Sequence, residues 1–374
     1  MNFKEYSISA LVDYFVSGCK KEKLLGLELE HFVVDKQSRR SVPYTDGIER
    51  LLNRLQPLYG EPIFSDSHHI IGVTRETANI TLEPAAQLEI SIMPSSDLSE
   101  IARIYYEFIK ILTPLLDEMG FELVCLGYHP KSKIDELPLI PKQRYEHMYS
   151  HFAKTGTRGK YMMKGSAATQ VNIDYESETD FKKKFRVANI LGPLLAFICD
   201  NAIFFEGEPF TMNMVRTFIW DDVDPARSGV PQSALDRDFG FRDYAEYIYN
   251  MPEIFLPEDK AEYLEHALTM AFPDVRLKTR LELRMADSMP IEAAMDFMTL
   301  LSDIFYNEVR LNEFYQATVD IKNSDVAAAK NELIRKGKDA IVYGRSTNEW
   351  LSKIWPSGGK YERFKHALRG NNPQ

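Results

Sequence analysis

The stretch ITLEPAAQLEIS, residues Ile80–Ser91, has the alternation of a β-strand and an acidic polar face. Because the side chains of a strand point alternately to its two faces, Glu83, Gln87 and Glu89 share one face. Pro84 and the two alanines after it interrupt the run, which predicts a bend between two short strands. Taken alone, the pattern also fits a half-buried strand with one solvated face.

Three distant segments repeat this polar face: Gly26–Phe32 (GLELEHF), Thr169–Asp174 (TQVNID) and Arg280–Met285 (RLELRM). If the four strands share one sheet, its polar face gathers carboxylates that repel one another unless they are protonated or neutralised. A shared divalent cation removes the conflict, and all-oxygen ligation suits Mg²⁺ or Mn²⁺ rather than Zn²⁺. Arginines on the same face would bind anions, either phosphate or a substrate carboxylate.

Six motifs in order resemble the plant and proteobacterial type of glutamate–cysteine ligase, a family similar in fold to glutamine synthetase. They are GLELEHF (Gly26–Phe32), LEPAAQLEIS (Leu82–Ser91), PKQRYEHM (Pro141–Met148), TQVNIDY (Thr169–Tyr175), RTFIWDDVDPARSG (Arg216–Gly229) and LELRMAD (Leu281–Asp287). The six together are specific for the family, but less so for the amine that is joined to glutamate. The resemblance implies an α+β fold, in which a curved, mostly antiparallel sheet lines the active site and helices pack on its other face.

The chain is expected to form one domain over residues 1–374, although its 374 residues would by length alone allow two. The reason is that Glu28 and Glu282, near opposite ends of the matched region, belong to one expected site. Residues 291–374 are predicted to be a helical C-terminal part, which the resemblance does not cover well.

The amino-acid composition limits the binding partners and the cellular compartment that we expect for the protein. A net charge of −10 offers no basic surface for nucleic acid. The most apolar stretch, Val187–Phe205, contains Asn, Pro and Asp, so it predicts a buried helix over Ala188–Asp200 rather than a membrane span. Three scattered cysteines favour a reducing compartment, and we expect a cytoplasmic protein. The sequence leaves open whether it is a monomer or a homodimer.

The reaction that the resemblance implies is the ATP-dependent joining of the glutamate γ-carboxyl to the amine of cysteine, the first step of glutathione-type thiol synthesis. A carboxylate is a poor acyl donor, and phosphorylation to a γ-glutamyl phosphate provides a leaving group. The expected small molecules are glutamate, cysteine, ATP as co-substrate and Mg²⁺, or Mn²⁺ in its place. The protein has to neutralise the triphosphate, align the reactants and exclude water.

The family match and the repeated strand geometry assign five carboxylates to metal: Glu28, Glu30, Glu83, Glu89 and Glu282. Glu282 and Arg284 are also the expected catalytic residues, with Arg284 stabilising charge on the transferred γ-phosphate. Two of the acids have an alternative role, since Glu83 beside Pro84 fits a turn and Glu89 fits the partner of an arginine.

Arg216 and Trp220 resemble the glutamate-binding pair of the family. The guanidinium would bind the α-carboxylate, and the indole would pack over the aliphatic chain or donate its N–H. Arg227 is expected to contact the same region. Gln170 and Asn172 would hydrogen-bond substrate or metal-bound water, or else satisfy neighbouring strands. The alternative for the pair is an arginine on a helix face and a core tryptophan.

The sequence also leads to predictions for two further segments. Phe152–Lys164 is predicted to be a basic, glycine-containing loop, either a solvated turn or a phosphate-facing lid that uses Arg158 and Lys160. The family commonly has a glycine pair where Ala85 and Ala86 stand, and alanine adopts positive φ only at a cost. The turn beside Glu83 is therefore expected to differ from the family's.

Three other functions stay open at this point. A ligase of the same mechanism with another amine would differ only in which acceptor triggers ADP release. A metal-dependent hydrolase would need no ATP and would leave Arg216 and Trp220 without a purpose. A non-catalytic nucleotide or amino-acid sensor would not need every metal ligand.

Overall fold

The computed structural model describes residues 6–257, 259–356 and 358–369. The helices are α1 Ile8–Ser17, α2 Glu49–Tyr59, α3 Leu98–Met119, α4 Gln143–Thr155, α5 Gly159–Gly165, α6 Glu178–Ile198, α7 Val215–Trp220, α8 Phe241–Asn250, α9 Tyr263–Thr269, α10 Ile291–Tyr306, α11 Glu308–Ala317, α12 Asn323–Lys336, α13 Thr347–Ile354 and α14 Gly358–Arg369. The strands are β1 Leu25–Asp35, β2 Glu61–Phe64, β3 Ile70–Arg75, β4 Ala78–Leu82, β5 Leu88–Ser95, β6 Phe121–Val124, β7 Ala168–Ile173, β8 Phe204–Phe205, β9 Glu208–Pro209, β10 Ser228–Gly229, β11 Phe272–Pro273, β12 Val275–Leu277, β13 Leu281–Asp287, β14 Ile341–Val342 and β15 Arg345–Ser346. Single turns of other helix types lie at Tyr44–Ile48, Ile134–Glu136, Lys260–Glu262 and Gly337–Asp339.

One antiparallel sheet organises the described residues. Its nine strands follow the order β12-β13-β7-β1-β5-β4-β3-β2, and β6 pairs with the far end of β1. All four segments predicted to share a sheet do so, because β1 pairs with β5 on one side and with β7 on the other, and β7 pairs with β13. The α+β prediction with a mostly antiparallel sheet is therefore confirmed.

The apolar face of β1 is covered by helix α3. Leu27, Leu29 and His31 alternate along this face and are each 0% exposed. The His31 ring contacts the Tyr105 hydroxyl of α3 at 2.9 Å and the Leu88 carbonyl oxygen at 3.1 Å. Burial lowers the pKa of His31 to about 4, so the ring is neutral and serves packing. The opposite face of β1, with Glu28 and Glu30, is left for the site.

The predicted bend lies between β4 and β5. The Glu83 N–H donates to the Gln87 carbonyl oxygen, and the Ala86 N–H donates to that of Glu83, each at 2.9 Å. The Gln87 side chain accepts from the Ala85 N–H at 2.9 Å and closes the turn. Ala86 has φ +67°, the conformation that favours glycine. Alanine therefore adopts a glycine-type backbone in this turn, and the expected difference from the family's turn stays a prediction.

Glycine substitutions at the two alanines of this turn are expected to differ. Both methyl groups are buried, at 6% exposure for Ala85 and 4% for Ala86, so each substitution loses similar packing and gains similar chain freedom. Only Ala86→Gly also relieves a left-handed backbone. Its free energy of unfolding should exceed that of Ala85→Gly by about 1–2 kcal/mol, measured by urea unfolding. Equal stabilities would show that the turn is not strained at Ala86.

The segment Phe152–Lys164, predicted to be a loop, is mostly helical. Helix α4 continues to Thr155 and α5 begins at Gly159. The helices pack closely, since a Cβ on Gly159 would lie 2.5 Å from the Phe152 Cβ. The prediction failed because the buried side chains of Phe152, Met162 and Met163 define a second helix despite the glycines and basic residues.

The C-terminal part is helical, as predicted, and its first two helices, α10 and α11, meet at Asn307. The side chain of Asn307 accepts from the N–H groups of Val309 and Arg310 at 3.1 and 3.3 Å, which ends α10 and begins α11. One hydrophobic core cluster runs from Leu11 to Leu368. That continuity supports the single-domain organisation, which stays a prediction. None of the helices in the described ranges is both long and apolar enough to cross a membrane.

Candidate functional site

Four acids and four arginines line one cavity of about 240 Å³ on the polar face of the sheet. The acids come from β1, the β4–β5 turn and β5: Glu28, Glu30, Glu83 and Glu89. The arginines come from α4, α7, β12 and β13: Arg144, Arg216, Arg276 and Arg284. Gln87 and Gln170 also line the cavity, and Met148, Met162, Met163 and Phe272 supply apolar wall.

Strand register brings the acids together. Glu30 on β1 is directly opposite Glu89 on β5, and Glu28 is opposite Gln170 on β7. Glu30 accepts from the Ala168 N–H at 2.8 Å and from Gln170 Nε2 at 3.0 Å. These donors hold the Glu30 carboxylate at the cavity wall.

The other two strand acids also accept hydrogen bonds from neighbouring side chains. Glu28 accepts from Asn172 Nδ2 at 2.9 Å. Glu89 accepts from the Ser91 hydroxyl at 2.9 Å and from the Thr81 hydroxyl at 3.2 Å. Asn172 therefore orients a site acid, while Gln170 reaches the cavity itself.

The cavity disfavours negative charge on Glu30 and Glu89. Burial, and then the nearby Glu83, raises the pKa of Glu30 to about 8. Burial and the charges of Glu28, Glu83 and Glu30 raise the pKa of Glu89 well above its usual range. A bound divalent cation would reverse this balance, because it stabilises ionised carboxylates.

The donor set fits a hard cation, because the acids and amides of this wall offer oxygen ligands, which Mg²⁺ and Mn²⁺ prefer. Within residues 6–257, 259–356 and 358–369, no three His, Cys, Asp or Glu side chains form a ready-made metal cluster. Cation binding therefore requires the glutamates to move inward or water to complete the coordination, which is usual for Mg²⁺.

Glu282 has a different environment from the other acids. It is 0% exposed, accepts from Arg276 Nη2 at 2.7 Å and from Arg284, and forms an ion pair with Lys278 Nζ at 3.2 Å. Burial alone would raise the pKa of Glu282, but these three cations hold it well below its usual range. The carboxylate is thus already paired with cations, and the metal ligation predicted for Glu282 stays a prediction. Glu282 fixes Arg276 and Arg284 at the cavity.

Arg216 and Trp220 lie together on α7. Arg216 is 4% exposed, and its Nη1 donates to the Arg284 carbonyl oxygen at 2.8 Å. Its guanidinium carbon is 5.8 Å from the centre of the Trp220 ring. In the described part of the chain, Arg216 Nε and Trp220 Nε1 are buried without a hydrogen-bond partner. Because both residues line the cavity, these two donors are available to an acceptor supplied by a ligand.

Three predicted site residues are not brought to the cavity. Arg227 is 1% exposed and pairs with Asp224 at 2.6 Å, so it holds a loop together. Arg158 lies over the Phe218 ring at 3.6 Å and donates to the Phe218 carbonyl oxygen. Lys160 is exposed at the surface of α5. The structure does not bring Arg158, Lys160 or Arg227 to the cavity, and their roles in binding stay predictions.

Two arginines of the cavity were missed from the sequence. Arg144, in the PKQRYEHM motif, donates to the hydroxyl and the carbonyl oxygen of Thr269, both at 3.0 Å. Arg276 forms a two-pronged contact with Glu282. The motif was the available signal for Arg144, whereas only the hairpin between β12 and β13 identifies Arg276.

Comparison with known proteins agrees with the motifs. The family model described as glutamate-cysteine ligase family 2 matches residues 24–353. The chloroplastic glutamate–cysteine ligase A of Oryza sativa subsp. japonica is 30% identical over 345 residues, 84% of this chain and 70% of that protein. The chloroplastic glutamate–cysteine ligase of Arabidopsis thaliana is 30% identical over 354 residues, 87% of this chain and 67% of that protein.

A solved structure confirms the glutamine synthetase-like fold. The glutamate–cysteine ligase of Francisella tularensis, in complex with AMP, aligns with a TM-score of 0.57 over 94% of this chain and 82% of that chain. The sequence identity of 12% limits this likeness to the fold.

The names of the plant relatives contradict the cytoplasmic location that the sequence predicted, because these proteins are chloroplastic. That prediction is wrong. Cysteine usage indicates a reducing environment, and such an environment does not single out the cytoplasm.

Proposed function

The chain belongs to the glutamate–cysteine ligase family 2, and from this premise we propose that it joins the γ-carboxyl of glutamate to the amine of cysteine at the expense of ATP. The reaction passes through γ-glutamyl phosphate, which the amine attacks with loss of phosphate. The observation that supports this most is the cavity in which four acids and four arginines face the same space. Acids are needed to hold the metal ions of a metal–triphosphate, and arginines are needed to bind the phosphates and the carboxylates of the substrate.

The acids are the proposed metal ligands. Glu28, Glu30, Glu83 and Glu89 would hold Mg²⁺, or Mn²⁺ in its place. The bound ion would offset the charge of the triphosphate. Glu282 is not among these ligands, because its three cationic partners already neutralise it.

The arginines are the proposed anion-binding groups. Arg144, Arg276 and Arg284 would bind phosphate oxygens, and Arg284 would stabilise the charge that develops as the γ-phosphate moves to the glutamate carboxylate. Because Glu282 fixes Arg276 and Arg284 before substrate binds, little reorganisation is needed during transfer. The methionine and phenylalanine wall helps to exclude water, which would otherwise hydrolyse the acyl phosphate.

Glutamate is proposed to bind through Arg216 and Trp220. The Arg216 guanidinium donates to the Arg284 carbonyl oxygen. A carboxylate bound to Arg216 would therefore lie close to Arg284, one of the proposed phosphate-binding arginines. The unpaired Arg216 Nε and Trp220 Nε1 are the donors available to that carboxylate. A ligase with another amine shares all of these features, so acceptor identity is the open alternative.

The experiment that tests the proposal is ADP release from Mg-ATP and glutamate with cysteine, 2-aminobutyrate or glycine as the amine. We expect ADP release that depends on both glutamate and cysteine. Equal rates with 2-aminobutyrate would show that the acceptor is selected by shape rather than by sulfur. A different preferred amine would retain the mechanism and change the acceptor. No ADP with any amine would contradict the proposal.

The remaining partner predictions rest on composition. The net charge of −10 supports the absence of a nucleic-acid partner. The choice between a monomer and a homodimer stays open as predicted.

A further inference from the structure

A second, smaller cavity adjoins the charged one. The two share four wall residues: Arg216, Trp220, Phe272 and Arg284. The second cavity, here called the side cavity, is closed by Gly192, Pro193 and Ala196 of α6 and by Met285, and its other charged groups are Asp274 and Lys330. It is therefore small and largely apolar, and it borders the charged cavity along a common wall.

Lys330 links the C-terminal part of the chain to this cavity. It lies on α12, is 7% exposed, and places its Nζ 2.8 Å from Asp274 Oδ2 and 3.1 Å from Asp221 Oδ1. Burial alone would lower the pKa of Lys330, but Asp274 and Asp221 raise it above its usual range, so the lysine stays charged. Each aspartate closely follows an aromatic wall residue, Asp221 after Trp220 and Asp274 after Phe272.

The two aspartates differ in what they face. Asp274 lines the side cavity, whereas Asp221 does not. Asp274 is the single acid among the wall residues given for the side cavity, which also include the cations Arg216, Arg284 and Lys330. It is therefore the wall group that an ammonium group in the cavity would bind, while Arg216 on the shared wall offers a guanidinium to a carboxylate.

We infer that the side cavity receives the α-amino acid end of the donor glutamate, with Asp274 binding its ammonium group and Arg216 its carboxylate. Lys330 is a positioning residue, which holds Asp274 toward the cavity without contacting substrate. This inference rests on the proposed ligase function and adds Asp274 and Lys330 to it. The γ-carboxylate then points past the shared wall toward Arg284, where phosphate transfer takes place. The C-terminal helix α12 thereby becomes part of the glutamate site.

The test compares Asp274→Asn with Asp221→Asn. Both remove one carboxylate from Lys330, but only Asp274→Asn changes the cavity wall. We expect Asp274→Asn to raise the KM for glutamate roughly 10-fold or more, as for loss of a charge-assisted hydrogen bond, with the KM for ATP unchanged. Asp221→Asn should leave both KM values within about 3-fold of the unsubstituted protein, the range of an indirect effect.

Glutarate, which lacks the ammonium group, separates recognition from general damage. Its inhibition constant against glutamate should be the same in Asp274→Asn as in the unsubstituted protein. Equal weakening of glutamate and glutarate, or equal effects of the two asparagine variants, would overturn the inference in favour of a structural role. A rise confined to the KM for cysteine would also overturn it, by assigning the cavity to the acceptor.

Asp274→Glu keeps a negative charge beside Lys330 if the asparagine variant does not fold. Because it shifts the carboxylate by one methylene, it should still raise the KM for glutamate while sparing glutarate, and no change would overturn the inference. Failure of the ligase proposal is distinct, since the unsubstituted protein would then release no ADP with glutamate and cysteine.

Discussion

Replacing Glu89 by glutamine is expected to lower turnover at least 100-fold without destabilising the protein. Glu89 is a proposed metal ligand, and even groups that only support a ligand are worth roughly 10- to 100-fold. Its hydrogen-bond partners are the hydroxyls of Ser91 and Thr81, which can rotate to suit an amide. Burial and three neighbouring glutamates already disfavour its charge. The free energy of unfolding without Mg²⁺ should therefore equal or exceed that of the unsubstituted protein.

Two measurements check this expectation: ADP release across a range of Mg²⁺ concentrations, and urea unfolding in the absence of metal. Glu61→Gln, an exposed acid on the edge strand β2, is the matched control and should leave both unchanged. Near-normal turnover of the Glu89 variant at saturating Mg²⁺ would contradict the proposed metal ligation.

The strand acids were predictable because alternation is a local property of an extended chain. A period of two in GLELEHF and LEPAAQLEIS was enough to place Glu28, Glu30 and Glu89 on one face, and the register of β1 with β5 then brings them together. The bend at Pro84 followed from the same local rules. Its backbone did not, because Ala86 adopts a conformation that alanine disfavours.

The contacts of the basic side chains could not be predicted in the same way. A long cationic side chain can reach several partners, and tertiary packing selects among them. Arg158 stacks on Phe218, and Arg227 pairs with Asp224, although both lie in segments that suggested binding. Lys330 lies in a helix outside the motifs, and only the folded chain shows that it closes a cavity of the site.

For Glu282, the sequence predicted the strand face correctly but not the partners of the carboxylate. Alternation correctly placed it beside Arg284 on β13, and the clustering of acids then suggested metal. The environment of Glu282 is set by the strand that precedes β13. Arg276 on β12 and Lys278 in the hairpin both pair with the Glu282 carboxylate. One carboxylate among three cations is a buried ion network rather than a vacant ligand.

Glu282→Gln is therefore expected to lower stability as well as activity, in contrast to Glu89→Gln. The substitution leaves Arg276, Lys278 and Arg284 without their shared anion, at side-chain exposures of 9%, 17% and 12%. Breaking a buried ion pair by removing one partner costs about 3–5 kcal/mol, and urea unfolding should show a loss of this size. Turnover should fall as well, because Arg284 loses its anchor, and added Mg²⁺ should not restore it.

The two substitutions are chemically identical and lie on one sheet, so opposite effects on stability would separate the ion network from the proposed metal ligands. A Glu282 variant as stable as the unsubstituted protein would instead return Glu282 to the metal site.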